Sequence, residues 1–192
     1  MFDATKSPPK PTAEYVVRLP QNAANVTAAQ SEVHYLSDTQ FLVLARDSGN
    51  GVGLGVNNTN STYRSADIFD ISKATNILGK HDEVNGTIVT SFTKTVANLK
   101  PNITTAEYCK FVNFNNNTEL KKFGLHNGGA QDAGLLNEKW EGFALLPVEG
   151  DDKDKRGNHQ SGDDDNSDTD EYFLFAVSDN DFRATDGMLP LL

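Results

Sequence analysis

Residues 31–51 read SEVHYLSDTQFLVLARDSGNG. Two short runs, EVHYL (32–36) and FLVLAR (41–46), are rich in β-branched and aromatic residues and are separated by Ser, Asp and Thr, a hairpin pattern. The second run is apolar almost throughout and leaves through Asp47. A similar unit recurs as WEGFALLPV (140–148) and EYFLFAVSDND (171–181). Glu32 then aligns with Glu141, Leu36 with Leu145, Phe41 and Leu42 with Phe173 and Leu174, and Asp47 with Asp179. Each unit is a glutamate, a strand, a turn, a more apolar strand and an exit through Asp. In the first copy a further strand candidate, ADIFDI (66–71), follows after a loop. Strand, turn, strand, loop, strand is how propeller blades look in sequence. Two similar hairpins in a sandwich give the same repeat. The expectation is an all-β, β-propeller-like fold with a partial set of blades, since closure needs at least about four and only two units are clear. On that reading the chain is a portion of a larger protein.

The remaining segments fit around these units. Residues 1–13 hold prolines and little apolar content and read as a flexible lead-in to a β portion over 14–192. EYVVRL (14–19) and GTIVTSF (86–92) are further strand candidates. ITTAEYCKFVNF (103–114) carries a helix signal: Thr104 and Glu107 have capping-box spacing ahead of Cys109 and Val112, with Tyr108 and Phe111 beside them. TELKKFG (118–124) predicts a second short helix stopped by Gly124. One or two short helices would thus sit in an inter-strand insertion. Residues 150–170, with the acidic block DDDNSDTDE, lack the Gly and terminal Glu of an EF-hand and read as a solvated, disordered insertion.

The charge balance restricts the partners. The chain has 192 residues, a formal net charge of −10 and a sequence pI of about 4.7. Nucleic acid, whose phosphates need a basic stripe, is excluded as a partner. No apolar run is long enough to span a membrane. Sequons at Asn25, Asn57, Asn60, Asn85, Asn102 and Asn116 point to a secreted glycoprotein, though an Asn- and Thr-rich chain also produces sequons by accident. MFDATKSPPKPTAEY lacks the apolar stretch of a signal peptide, so the leader of such a protein is absent here. The lone Cys109 forms no internal disulfide and supplies no thiolate cluster.

Several stretches carry candidate chemistry. SGNGVGLGVNN (48–58) alternates glycines after a strand, but no Lys-Ser or Lys-Thr follows and NNTNST opens no helix; it is an inter-strand loop. Arg46 could grip a phosphate bidentately or form a structural pair with a neighbouring carboxylate. GLHNGGAQDAGLLNEKWEGFALL (124–146) gathers His126, Asp132, Glu138 and Glu141 near the single tryptophan. His126 is a candidate general acid or base, and HNGG is equally a turn signal. Glu32 and Glu141 could lock strands through backbone N–H groups. Asp179 and Asp181 in SDND either finish a strand with turn chemistry or offer oxygen ligands to a cation.

In SEVHYLSDTQFLVLARDSGNG, YRSADIFDIS, GLHNGGAQDAGLLNEKWEGFALLPV and EYFLFAVSDNDF the chain resembles the fungal secreted phytase-like proteins, the group described as having esterase-like activity of phytase. The resemblance covers most of residues 14–183 apart from the acidic insertion. It implies an exported β-propeller and a metal-assisted attack by water on a small-molecule phosphoester. Ca²⁺ would be held by Asp179 and Asp181 with help from Asp47 or Glu141, Arg46 would bind a phosphate oxygen, and His126 or Asp132 would shuttle a proton. The alternative is a catalytically silent extracellular module that binds a partner, in which the acidic residues only hold strands together.

Overall fold

The computed structural model describes residues 1–81, 87–93, 96–148 and 171–179. The acidic insertion 150–170, sequon Asn85 and Asp181 lie outside the described residues. Strand β1 (Phe2–Asp3) pairs with β2 (Lys10–Pro11), and the Met1 ammonium donates to the Ala13 carbonyl at 2.6 Å, so the lead-in folds back on itself.

The main sheet is an antiparallel meander of β3 (Ala29–Tyr35), β4 (Gln40–Arg46), β5 (Arg64–Asp70) and β8 (Glu107–Asn113), in that spatial order. Leu42, Val43, Leu44 and Ala45 of β4 are all buried. A strand covered on both faces has no exposed side to fill with polar residues, which explains its unbroken apolar run. On one face Val43 packs with Phe69, Ile71 and Ala106. Residues 14–19, expected as a strand, join no ladder. They lie extended across this face and insert Tyr15, Val17 and Leu19 beside the cluster. Their carbonyls are met singly, by Ile77 N–H at Glu14 and Ala106 N–H at Val16, both at 2.9 Å.

The second hairpin, β9 (Lys139–Pro147) with β10 (Tyr172–Asp179), packs against β3 and β4. The repeat in the sequence therefore corresponds to hairpins β3–β4 and β9–β10. A smaller hairpin joins β6 (Val89–Phe92) to β7 (Ala97–Leu99). The only helical elements among the described residues are α1 (Asn117–Leu120) and a 3-10 turn at Lys121–Phe123. The Asn116 side chain caps α1 by accepting from Thr118 N–H, and Gly124 ends the turn at φ 71°. The expected all-β class with a short helix over 118–124 is what is observed.

The helix expected over 103–114 is corrected: this segment is β8. Its capping-box spacing is a local signal worth about 1 kcal/mol, whereas the free edge of β5 offers a whole ladder of hydrogen bonds. Tyr108 and Val112 turn inward in strand alternation while Cys109 and Phe111 are exposed.

Three bulges re-aim polar groups, as bulges commonly do. The register slips between Gln30 and Glu32, leaving Ser31 over; between Ala66 and Asp67 on β5, leaving Phe111 over on β8; and between Val177 and Ser178 on β10, leaving Glu141 over on β9. Each extra residue feeds a polar contact described below.

Candidate functional site

Arg46 ends β4 and is buried, and each of its three guanidinium nitrogens donates at least one hydrogen bond. Nε donates to Ser31 Oγ at 3.0 Å and to the Trp140 carbonyl at 3.2 Å, and a terminal nitrogen donates to Glu141 Oε1 at 2.8 Å. Ser31 and Glu141 are both bulge residues, so two irregularities in separate hairpins converge on one arginine. The half-exposed Glu141 and buried Arg46 tie β9 to β4. Of the two readings of Arg46, the geometry supports the structural pair.

Asp47 organises the loop that follows. Oδ1 accepts from Ser61 Oγ at 2.7 Å. Oδ2 accepts from Thr62 N–H at 2.6 Å, Thr62 Oγ1 at 2.9 Å and, at the long limit of 3.5 Å, Asn50 Nδ2. A carboxylate offers about four acceptor sites, and these donors take them.

The loop over 48–62 is zipped to the segment 125–138. Val52 N–H donates to the Leu136 carbonyl at 3.1 Å and Gly49 N–H to Glu138 Oε1 at 2.7 Å. Gln131 accepts from Gly53 N–H at 2.8 Å and donates to the Gly51 and Gly55 carbonyls. The buried Asn127 carboxamide accepts from Ser61 N–H at 3.0 Å and donates to the Ser61 carbonyl at 2.8 Å, like a surrogate peptide. Of the alternating glycines, Gly51 serves a close backbone approach to Glu138 of the other segment, in keeping with an inter-strand loop.

His126 and Asp132 are brought together within that segment. His126 Nε2 lies 2.8 Å from Asp132 Oδ1 and Nδ1 lies 2.7 Å from the Gly128 carbonyl. A carbonyl oxygen only accepts, so Nδ1 donates to it, and the Asp132 carboxylate is placed to accept from Nε2–H, an arrangement that favours the imidazolium form of the ring. The Asp132 bond, and after it the Gly128 carbonyl, raise the His126 pKa. The His126 bond and the Gly134 N–H lower that of Asp132. The raised histidine contributes stability fully below its unfolded pKa of about 6.5, and loses it as pH rises through the folded value. The depressed carboxyl contributes above about 3.9 and fails as pH falls through its folded value. The clamp is therefore tightest in weak acid, between those two unfolded values. A proton NMR titration should find the His126 ring titrating above free histidine, and Asp132→Asn should move it back down.

Asp179 is the last residue of β10, opposite Lys139 on β9. Among the described residues no three His, Cys, Asp or Glu side chains gather where a cation could sit. The expected Ca²⁺ ligand set thus loses Asp47 to its own loop and rests, in Asp181, on a residue outside the described ones.

Sequence reasoning missed the buried polar residues of β5. Arg64 is 1% exposed, stacks 5.7 Å from the Trp140 ring centroid, and donates to Asn115 Oδ1 and the Asn50 carbonyl, both at 3.2 Å. Burial pulls its pKa down to about 10, against the favourable field of Asp47. Asp67, fully buried, accepts from the Tyr63 and Tyr108 hydroxyls, the latter at 2.8 Å, and from the bulge residue Phe111 N–H at 3.3 Å. Desolvation first, then the bond to Asp67, raises both tyrosine pKa values. Charged residues inside the strand-like run RSADIFD were the available signal.

The chain is 42% identical to an uncharacterized secreted protein of the fungus Arthroderma benhamiae. The match takes in 97% of this chain but only 35% of the relative, so the chain spans about a third of that protein's length. No family model matches, and no solved structure matches. The similarity bears out the extracellular location expected from the sequence. No helix among the described residues is long and apolar enough to cross a membrane.

Proposed function

We propose that this chain is a blade-like part of an extracellular β module that binds a ligand without turning it over. The observation that carries this reading is the engagement of Arg46, Glu141 and Asp47 in bonds that hold strands and loops, which leaves no phosphate-gripping arginine and no cation site among them. A four-stranded antiparallel meander with the next hairpin packed upon it is also the arrangement of adjacent propeller blades. Phe173, Phe175 and Val177 of β10 and Leu146 of β9 share one exposed apolar face, as a sheet does when a further sheet belongs against it.

The phytase-like reading keeps one supporting observation, the paired His126 and Asp132 at an exposed position, a geometry suited to proton transfer. Both ring nitrogens are already committed to partners, which favours the clamp over the shuttle.

A hydrolysis screen separates the two readings. The substrates are inositol hexakisphosphate, bis-p-nitrophenyl phosphate and p-nitrophenyl acetate, each with Ca²⁺ and with EDTA. No chelator-sensitive turnover is expected, and Glu141→Gln should lower the melting temperature without any change in rate. Turnover abolished both by EDTA and by Asp132→Asn would establish the hydrolase and overturn the binding reading.

A further inference from the structure

On the side of the fold where residues 14–19 cross the sheet there is an open cleft of about 490 Å³. Its walls are Arg18, Asn98, Lys100, Pro101, Thr104 and Thr105, with Leu99 and Ile103 beneath. Local structure explains why these residues meet. Alternation along the extended segment sends Tyr15, Val17 and Leu19 into the core and leaves Arg18 on the outside. Lys100 opens a turn with Pro101 next, closed by Ile103 N–H donating to the Lys100 carbonyl at 3.0 Å. Lys100 N–H is fixed to the Ile88 carbonyl at 3.0 Å, and Thr104 N–H to Thr75 Oγ1 at 2.9 Å, so the turn is anchored on both sides. Asn98 is held by its bond to Ser91 Oγ at 3.0 Å.

The chemistry of this wall is one-sided. The chain carries 27 Asp and Glu against 17 Lys and Arg, yet among the described residues no carboxylate lines the cleft. Among the described residues neither Arg18 nor Lys100 forms an ion pair, and the hydroxyls of Thr104 and Thr105 donate to nothing. Two cations and two hydroxyl donors around a volume suited to a small organic molecule form a complement to an oxyanion carried on a polar body.

We propose that this cleft binds a small oxyanion ester, a phosphorylated or sulfated polyhydroxy compound. The guanidinium of Arg18 and ammonium of Lys100 hold the oxyanion, and Thr104, Thr105 and Asn98 meet the hydroxyls of its carrier. The assignment rests on the binding reading above and names the ligand class for it. It involves neither the Arg46 lock nor the His126 clamp.

The test uses the whole chain at about 20 mM salt, where exposed charges are weakly screened. Pyrophosphate, glucose 6-phosphate, glucose 6-sulfate and glucose are titrated separately and followed by amide NMR shifts and calorimetry. Saturable binding of the oxyanions is expected, with shifts confined to Arg18 and residues 98–105 and a clear weakening as salt is added. Response to the phosphate alone, or to both esters, identifies the source of the oxyanion. The double variant Arg18→Gln, Lys100→Gln should weaken binding about tenfold or more at an unchanged melting temperature, while Lys121→Gln, Lys122→Gln should bind as the parent does. No saturable oxyanion binding, equal binding by the double variant, or an equal response to glucose would each overturn the proposal. Release of phosphate from bound glucose 6-phosphate would instead leave the cleft standing and remove the non-catalytic part of the reading above.

Discussion

Asp67→Ala is expected to destabilise the protein by about 3 kcal/mol or more, because bonds to a buried charged acceptor are worth about 1.5–3 kcal/mol each and the orphaned donors keep their desolvation cost. Three donors converge on this fully buried carboxylate: two tyrosine hydroxyls and the Phe111 N–H, set free from the ladder by the β5–β8 bulge. Removing the acceptor strands all three at once. Urea unfolding should show a lower midpoint with little change in slope, the mark of lost stability rather than altered compactness. The companion double variant Tyr63→Phe, Tyr108→Phe removes donors instead of the acceptor and leaves the carboxylate under-satisfied. If Asp67→Ala unfolds within about 1 kcal/mol of the parent, the cluster has not been holding β8 to β5.

Gly51→Ala should have an effect of similar size by a different route. Gly51 sits at φ 152°, and a Cβ there would lie 2.5 Å from the Glu138 backbone nitrogen. Neither atom is the end of a flexible side chain, so the loop over 48–62 must separate from the segment that follows Asn137. The bonds that close the zipper, from Val52 to Leu136 and from Gln131 to the Gly51 and Gly55 carbonyls, would open with it. A loss of about 2–3 kcal/mol is expected, as for overpacking in a close-packed interior. Hydrogen exchange should rise first at Val52 and Gly53. Gly55→Ala, where a Cβ meets nothing within 4 Å although φ is 90°, separates backbone strain from the clash. Equal losses at Gly51 and Gly55 would show that contact with Glu138 is not the cause.

What the sequence made legible was whatever a period of two or a turn residue can encode. The runs EVHYL, FLVLAR, ADIFDI, EGFALLPV and EYFLFAV became β3, β4, β5, β9 and β10. The repeat marked two real hairpins, and Gly124 stopped its helical turn as expected. The segment 103–114 was misread because its aromatic and β-branched residues satisfy two periods at once, and only the vacant edge of β5 selects between them. EYVVRL was read as a strand candidate, but a strand-like composition does not say whether a neighbouring strand will pair.

The candidate site was less legible, and the bulges explain why. Nothing in WEGF announces that Glu141 is the residue left out of the ladder and so turned toward Arg46. The same holds for Ser31 and Phe111. A one-residue slip is a property of two strands together, and no single strand's pattern contains it. The partners of Asp47 were in plain sight in the run NST, but that run was read for a glycan and not for its hydroxyls.

Arg46 and Glu141 are 95 residues apart in the chain, and Gly51 meets Gln131 across 80. At a synthesis rate of roughly 5–20 residues per second, about 5–20 s elapse between the emergence of the arginine and that of its carboxylate. Through the later part of that interval β4 can have β3 and β5 beside it but neither its ion-pair partner nor its cover of β9, and the Arg46 guanidinium stays in water. Closure of such distant pairs carries loop entropy before it yields any contact. The lock between the two hairpins therefore cannot close until the second half of the chain has emerged.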